Sequence, residues 1–476
     1  MKRIYISLLT CAILCTTSCN DSDFLDVKSQ ENVEAEDRDD VFTPEMFVNG
    51  VYGMFTEWDY AFSYLGITEI MSDNADKGSS PTDTGTDKDV LDNLTFTPST
   101  GSFGEMWANW YTAIGRATQA IEYTEDYGLT DNAYKNRLIG EAKFLRALNY
   151  FFLVRGWGGV PIQEYSLDER SSATEVYAYI EKDLLDAIEV LPLKSEYESK
   201  DLGRATKGAA QGLLSKVYLY QQKWQEAYNY ANTVLTSGQY ALHPDYEELW
   251  RVETENGSES LFEFQGRGEQ IAHGIQQYSE TQAPRGGDGD LSYGWGFNVP
   301  SDNLLKAFQD EGDEIRMYGT IIFRNQILYD GRNVGATENP MYNMKAYSSA
   351  TQTAADGDKN IRYLRLGEIY LIRAEAANEL GNTAQAILDL NEIRARVNLN
   401  PTTASSQADL RKAIWHERRL ELAFEHDRWF DLVRTGEAAE AMRANGKNFI
   451  VGKHELFPIP YQQLLDTPNI EQNPGW

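Results

Sequence analysis

Apolar and small residues recur along most of this chain at the spacing of amphipathic helices. Stretches with this period end at glycine or proline, as at Leu191-Pro192 and at Gly381. The pattern therefore predicts a mainly α-helical protein. The predicted helices cover residues 44–58, 104–126, 132–155, 174–190, 302–309, 361–380 and about 406–434.

Two stretches have the spacing of tetratricopeptide-like helix pairs, in which small residues lie where two helices cross. The first runs from Leu214 to Ala231, and the second contains Ala374, Ala377 and Ala386. Such pairs stack into a right-handed scaffold. Four tryptophans lie on helical periods, so we assign them to the core: Trp107, Trp110, Trp224 and Trp429.

Two long segments lack a helical period. Residues 59–102 are rich in Asp, Gly, Ser, Thr and Pro, and residues 240–360 combine glycine-rich loops with short β-like runs at 261–264 and 320–323. Loops on a rigid scaffold commonly carry binding residues. We therefore predict a loop-rich lobe with short strands, and we treat residues 43–476 as one body.

The N-terminus has the pattern of a lipoprotein signal. A basic start is followed by an apolar run that is too short to cross a bilayer, and Thr16-Thr17-Ser18-Cys19 resembles a lipoprotein cleavage box. All the cysteines, Cys11, Cys15 and Cys19, lie in this segment. We predict a signal peptide over 1–18, lipidation at Cys19 and an acidic tether over 19–42. The alternative is an ordinary cleaved signal peptide whose last cysteine is accidental.

Composition excludes several kinds of function. The formal net charge is −30, so nucleic acid is not an expected partner, because phosphate binding needs a basic surface. A body without cysteine has neither disulfides nor a thiol nucleophile. The chain also contains 28 Tyr and 10 Trp, an aromatic content compatible with flat surfaces on which sugar rings stack.

Three glutamates form a row of carboxylates that could suggest catalysis. Glu417, Glu421 and Glu425 lie at i, i+4 and i+8 and would share a helix face. A helical glycoside hydrolase or lyase using Glu417 or Glu421 is one interpretation. The neighbouring arginines favour a structural ion network instead, because they lower the pKa that a catalytic acid needs raised. Those arginines are Arg418, Arg428 and Arg434.

Metal and cofactor chemistry is not expected. The two histidines closest in sequence, His416 and His426, are ten residues apart, unlike an i, i+4 pair of zinc ligands. Acidic clusters at 83–89 and 288–290 lack the EF-hand spacing and are interpreted as solvated loops. We predict neither a metal site nor a cofactor.

Aromatic residues next to amides and acids in the two loop-rich segments suggest sugar binding, since a ring covers the apolar face of a sugar and polar groups bind its hydroxyls. Trp58 is equally well explained as a core residue at the end of helix 44–58, whereas the glycines beside Trp295 favour exposure. The predicted ligand-binding residues are Trp58, Tyr60, Tyr64, Asp73, Asn74, Tyr278, Arg285, Tyr293 and Trp295.

Blocks along the chain resemble a known family. At the C-terminus these are the amphipathic segment 421–436, Leu456-Phe457-Pro458-Ile459-Pro460 and Gln472-Asn473-Pro474-Gly475-Trp476. Earlier blocks lie at 107–114, 155–162, 294–301 and 361–363. Together their order and spacing resemble the SusD/RagB family of nutrient-binding lipoproteins on the outer membrane of Bacteroidota. Asp21, Asp23 and Asp26 look like the acidic tag that exports such lipoproteins to the cell surface.

The resemblance implies a fold and a role. The fold would be a helical body of four repeat-type helix pairs with a variable loop-rich lobe. The role would be non-enzymatic: capturing an oligosaccharide outside the cell for a SusC-like TonB-dependent β-barrel transporter, while a lipid anchor holds the protein on the outer membrane. A peptide-capturing relative of the same scaffold is the alternative within the family.

Overall fold

Helices joined by short turns make up most of the molecule. The computed structural model describes residues 42–84, 86–266, 274–291, 294–348 and 358–476, and residues 44–476 form one compact unit. The helices are α1 (Pro44–Tyr52), α2 (Trp58–Leu65), α3 (Lys88–Asp92), α4 (Gly101–Asp126), α5 (Asn132–Trp157), α6 (Ala173–Val190), α7 (Lys207–Tyr220), α8 (Trp224–Thr236), α9 (Tyr278–Gln282), α10 (Asp302–Glu311), α11 (Glu314–Thr320), α12 (Leu366–Glu379), α13 (Thr383–Arg396), α14 (Gln407–Glu421), α15 (Arg428–Thr435), α16 (Ala438–Ala444) and α17 (Tyr461–Asp466).

Neighbouring helices pack in pairs, so the predicted mainly α fold is confirmed. Helix α4 packs on α5, α5 on α6, α7 on α8, and α12 on α13 and α14. Local signals set the helix ends. The side chain of Asp131 accepts hydrogen bonds from the first turn of α5, and Ser172 and Glu175 form a capping box at α6. Gly381 and Gly436 follow α12 and α15 with φ of 79° and 77°.

Glycines allow the helices to approach closely, as the repeat pattern predicts. A Cβ on Gly212 of α7 would lie 2.6 Å from a methyl carbon of Leu261, and one on Gly140 of α5 would lie 2.6 Å from Val190. Glycine lowers the helix propensity at these two positions, but the missing side chain lets the neighbouring elements pack closely. Trp110 and Trp429 are buried as predicted, whereas Trp224 is only partly buried against the core.

Short antiparallel strands lie within the lobe and, in one pair, connect it to the scaffold. The strands are β1 (Ala75–Gly78), β2 (Ser260–Phe264), β3 (Phe297–Pro300), β4 (Ile321–Phe323), β5 (Met341–Asn343) and β6 (Ile361–Arg365). In the described part of the chain they form three two-stranded sheets, β1–β3, β2–β6 and β4–β5. The predicted β-like runs at 261–264 and 320–323 correspond to β2 and β4.

Three predicted helix boundaries are wrong. The helix predicted over 44–58 ends at Tyr52, and Trp58 begins the separate helix α2, which extends into the segment predicted to lack a helical period. Residues 361–365, assigned to a helix, form β6, because Ile361 and Tyr363 favour a strand and β2 supplies a pairing partner. The helix predicted over 406–434 is interrupted between α14 and α15. Phe424 and His426 adopt φ of 64° and 68° in this break, a conformation that no glycine in the sequence announces.

A buried ion network surrounds this break. Glu421 at the end of α14 accepts hydrogen bonds from Arg365 at 2.6 Å, from Arg316 at 3.1 Å and from Arg396. Burial acts to raise the pKa of Glu421, but these three guanidinium groups hold it well below its usual range. The predicted structural ion network is therefore confirmed, although the partners of Glu421 come from β6, α11 and α13 rather than from the neighbouring arginines.

The C-terminal pieces pack back on the helical body. The indole Nε1 of Trp157 donates to the carbonyl of Pro458 at 2.7 Å. Asn473 donates through Nδ2 to the carbonyls of Phe457 and Trp157 at 2.7 and 3.1 Å. Trp476 stacks on Phe96 with ring centroids 5.0 Å apart. The C-terminal segment thus packs over the end of α5.

A π-helical turn at Gly66–Ile70 follows α2 and buries a carboxyl group. Glu69 accepts a hydrogen bond from the backbone N–H of His426 through Oε1, while its Oε2 has no hydrogen-bond partner among the described residues. Burial raises the pKa of Glu69 to about 8, and nearby Asp427 and Glu425 add to the shift. Glu69 is therefore largely neutral in the folded protein at pH 7.

Replacing Arg365 tests the ion network. Arg365 contacts Glu421, Glu425 and Glu259. Arg365→Met leaves buried carboxylates without their partner, so we expect a loss of about 3–5 kcal/mol in the free energy of unfolding, measured by urea denaturation at pH 7. Lys306→Met, which removes an exposed ion pair with Asp310, should cost less than about 1 kcal/mol. Equal losses in both variants would contradict a stabilising role of the network.

The difference in stability between the Glu69→Gln variant and the wild type should depend on pH. The pKa of Glu69 is about 8 in the folded state against a usual value near 4.5, so its contribution to stability is fully present below pH 4.5 and is lost as pH rises toward 8. Glutamine does not ionise. The stability of the variant relative to wild type should therefore rise by up to about 1.4 kcal/mol per pH unit between these limits. Glu226→Gln on the exposed face of α8 is the control, and a flat difference for Glu69→Gln would contradict the neutral carboxyl.

Candidate functional site

Three aromatic side chains meet at a partly exposed surface of the lobe. Trp58 and Phe62 are four residues apart on α2 and therefore share one helix face. Trp295 lies against both rings, with centroid distances of 5.7 Å to Trp58 and 6.3 Å to Phe62. All three side chains are partly exposed. We call Trp58, Phe62 and Trp295 the aromatic cluster.

The segment that carries Trp295 is held by backbone hydrogen bonds. The N–H of Trp295 donates to the carbonyl of Glu280 at 2.9 Å, and the N–H of Gly296 donates to that of Ala283 at 3.1 Å. A Cβ on Gly294 would overlap the backbone of Ala283. The glycine before Trp295 thus permits close packing against the end of α9. The sequence suggested that flexible glycines expose the indole, but these hydrogen bonds hold the backbone in place.

Glu280 supplies a carboxylate at the edge of the aromatic cluster. Its Oε1 accepts a hydrogen bond from the indole Nε1 of Trp295 at 3.0 Å. Its Oε2 is buried and has no hydrogen-bond partner among the described residues. Burial raises the pKa of Glu280, and the indole N–H partly offsets that shift. Glu280 thus fixes the orientation of the Trp295 indole from inside the lobe, while its Oε2 is closed off from the surface.

A polar group lies next to the aromatic cluster. Arg285 donates to the hydroxyl of Ser79 at 2.8 Å, pairs with Asp83 and lies 3.6 Å from Glu338. The side chains of Arg285 and Asp83 are 30% and 31% exposed, so both remain accessible to a ligand. The Ser79 hydroxyl and Arg285 lower the pKa of Asp83, which keeps this carboxylate ionised at neutral pH.

The three tyrosines predicted to bind a ligand and present in the described residues are buried. The Tyr60 hydroxyl accepts a hydrogen bond from the indole Nε1 of Trp110 at 2.9 Å, and Tyr64 packs on the imidazole of His426. The Tyr278 hydroxyl lies 3.0 Å from Nε2 of the same histidine. Each is at most 3% exposed, so these side chains support the site from beneath and do not reach its surface.

Asp73 and Asn74 also lie inside the molecule. Asp73 forms a two-bond pair with Arg428 at 2.7 and 2.9 Å, and Asn74 accepts from Arg419 at 2.8 Å. Although burial opposes it, the two arginines hold the pKa of Asp73 well below its usual range. These residues connect the lobe to α14 and α15. Tyr293 lies outside the described residues.

The sequence carries a signal for Phe62 and Glu280, the two residues that the predicted site lacks. Phe62 follows Trp58 at i+4, which places a second ring on any face that exposes the first. Glu280 lies two residues after Tyr278 within a segment already singled out for binding. Of the predicted residues, the structure thus brings together Trp58, Trp295 and Arg285, and it adds Phe62 and Glu280.

The alternative catalytic residues do not line an accessible site. Glu417 and Glu421 are at most 1% exposed, and Glu417 pairs with Arg316 and Arg394 at 2.6 and 2.8 Å. The arginines around Glu421 hold its pKa well below its usual range, so this carboxylate cannot serve as a general acid. In the described residues, no group of three His, Cys, Asp or Glu side chains is arranged to hold a metal ion. None of the helices within those residues has the length and apolar character needed to cross a membrane.

The fold and the site together define a helical-repeat protein that presents an aromatic surface on a loop-rich lobe. Residues 258–476 match the model of the SusD family, and residues 23–219 match a second model described as starch-binding associating with outer membrane. The chain belongs to the SusD family.

Individual relatives cover most of the chain. SusD-like protein P2 of Formosa agariphila is 28% identical over 90% of this chain and 91% of its own length. Starch-binding protein SusD of Bacteroides thetaiotaomicron is 25% identical over 75% of each chain. The solved structure of a laminarin-binding SusD-like protein superposes with a TM-score of 0.78 at 30% identity, and it covers 91% of this chain and 99% of the other.

Proposed function

We propose that this protein is a non-enzymatic, cell-surface lipoprotein that binds an oligosaccharide and delivers it to a SusC-like TonB-dependent transporter. The observation that carries the binding proposal is the partly exposed aromatic cluster with the accessible Arg285–Asp83 pair beside it. Aromatic faces cover the apolar C–H face of a sugar, and the ion pair donates to and accepts from its hydroxyls.

The proposed ligand contacts are Trp58, Phe62, Trp295 and Arg285, and Glu280 holds the Trp295 indole in place. The two indoles meet at an interplanar angle of 56°, so they present two non-parallel faces. A bent oligosaccharide chain fits such a surface better than a flat one, because successive sugar rings can each cover one indole. The Arg285–Asp83 pair beside the cluster offers both a donor and an acceptor to hydroxyl groups.

Relatives support the same class of ligand. The names of two similar proteins, a laminarin-binding SusD-like protein and the starch-binding protein SusD, describe binding of glucose polymers. The two polymers differ in linkage, so the linkage preference of this chain depends on how its own lobe orients the aromatic cluster. A neutral glucan also agrees with the net charge of −30, which disfavours polyanionic glycans.

The cellular part of the proposal rests on the N-terminal segment and on the family. The description of the family model that matches residues 23–219 associates its members with the outer membrane. The lipoprotein-like signal ending at Cys19 supplies an anchor, with residues 19–42 as the tether to the body. A protein that holds nutrient outside the cell needs a channel to pass it inward, which is the role proposed for the transporter.

Trp295→Ala tests the binding site. We expect the variant to lose binding to laminarihexaose or maltohexaose, whichever the wild type binds, by roughly 30-fold or more, because a central aromatic anchor contributes about 2 kcal/mol. Isothermal titration calorimetry measures the affinity, and thermal melting checks the fold. Tyr165→Ala removes an aromatic side chain that is 68% exposed elsewhere, and its affinity should match that of wild type.

Two results would count against this site. One is unchanged affinity in both variants, which would place the ligand elsewhere. The other is unfolding of Trp295→Ala with full affinity per folded molecule, which would make this indole a core residue. A wild-type protein that binds peptides and no glycan on an array would favour the peptide-capturing alternative.

Cys19→Ala tests the anchor. Without the thiol, no lipid can be attached at this position, so the protein should leave the membrane fraction and appear in the soluble fraction with an unchanged melting temperature. Cys15→Ala is the matched control and should remain with the membrane. Outer-membrane fractionation of Cys19→Ala in a strain that lacks the transporter would show that the anchor assignment is wrong.

A further inference from the structure

A second aromatic cleft lies on the helical scaffold and shares no residue with the aromatic cluster. It forms where the end of α7 and the start of α8 meet α12, α14 and the end of α15. Its volume is about 370 Å³, within the range of roughly 300–1,000 Å³ typical of small-molecule sites. We call it the scaffold cleft.

Two indoles line the scaffold cleft. Trp224 begins α8 and Trp415 lies on α14, and both are partly exposed. The indole Nε1 of Trp415 donates to Oε1 of Glu375 at 3.1 Å, which fixes the orientation of its ring. The repeat pattern predicted that Trp224 fills a helix seam. It packs there only in part and leaves the rest of its indole in the cleft wall.

Ion pairs provide the polar lining. Arg411 donates through Nε and Nη2 to the carboxylate of Glu379 at 2.7 and 2.5 Å, and the two side chains are 32% and 13% exposed. Deeper in the cleft, Arg434 pairs in the same two-bond manner with Glu375. The pairing of Arg411 leaves its Nη1 donors for another acceptor, and the Glu379 oxygens keep lone pairs for a donor.

The indoles and the ion pairs of the scaffold cleft together indicate the chemical class of its ligand. An apolar side chain that entered the cleft would displace the water around Arg411 and Glu379. The hydrogen bonds from that water would not be replaced, which is costly. A sugar ring covers an indole with its C–H face and offers hydroxyls that both donate and accept. We propose that the scaffold cleft is a second saccharide-binding site, with Trp224 and Trp415 as stacking rings and the Arg411–Glu379 pair as the hydroxyl-binding group.

Fluorine NMR separates the two sites. The chain contains 10 tryptophans, and 5-fluorotryptophan labelling gives each its own resonance, assigned by single Trp→Phe variants. Laminarihexaose and maltohexaose are the probes. We expect a probe to shift the resonances of Trp224 and Trp415 in the Trp295→Ala background, where the aromatic cluster is disabled. If neither the Trp224 nor the Trp415 resonance shifts, the inference is overturned. If only Trp58 and Trp295 shift in the wild type, the inference is overturned but the proposed function is supported.

Variants at Trp415 measure the contribution of the cleft. In the Trp295→Ala background, Trp415→Ala should weaken the remaining saccharide binding roughly 30-fold, whereas Trp415→Phe keeps a ring and should retain most of it. Leu388→Ala on α13, at a side chain that is 64% exposed, is the control for the scaffold. Equal saccharide affinity of the Trp415→Ala, Trp415→Phe and Leu388→Ala variants would overturn the inference. Binding of a tryptophan-rich peptide at Trp415 with no saccharide binding would also overturn it.

Discussion

The carboxylate of Glu421 is the interaction on which the arrangement of the helices depends. It receives Arg396 from the end of α13, Arg365 from the junction of β6 and α12, and Arg316 from α11 in the lobe. All four side chains are nearly excluded from solvent. Removing such charges from water is costly, so losing one partner of this group would leave a buried charge uncompensated. One residue thereby joins two parts of the scaffold to the lobe.

Buried charges are also paired at the break after α14. Because the chain turns at Phe424 and His426, Asp427 reaches Arg155 at 2.7 Å and also pairs with Lys216. His426 in turn contacts Tyr64 and Tyr278 beneath the aromatic cluster. The position of α2 and α9, and hence of Trp58 and Glu280, therefore follows from the way in which buried charges are matched around the break.

The sequence predicted the scaffold better than the site for a physical reason. Helices α4, α5 and α6 differ from their predicted bounds by a few residues at most, since helical period and caps are local signals. Strand β6 and the break after α14 were missed because a distant strand and distant arginines decide them. Tyr60 and Trp58 are only two residues apart on one helix, and only the packing of the lobe shows which of them faces solvent.

Helix α9 and the indole of Trp295 are linked both through the backbone and through the carboxylate of Glu280. The orientation of the Trp295 ring is therefore fixed before a ligand arrives. A preorganised ring loses little conformational entropy on association, so selectivity among glycans would depend on how well the shape of the ligand matches a rigid template.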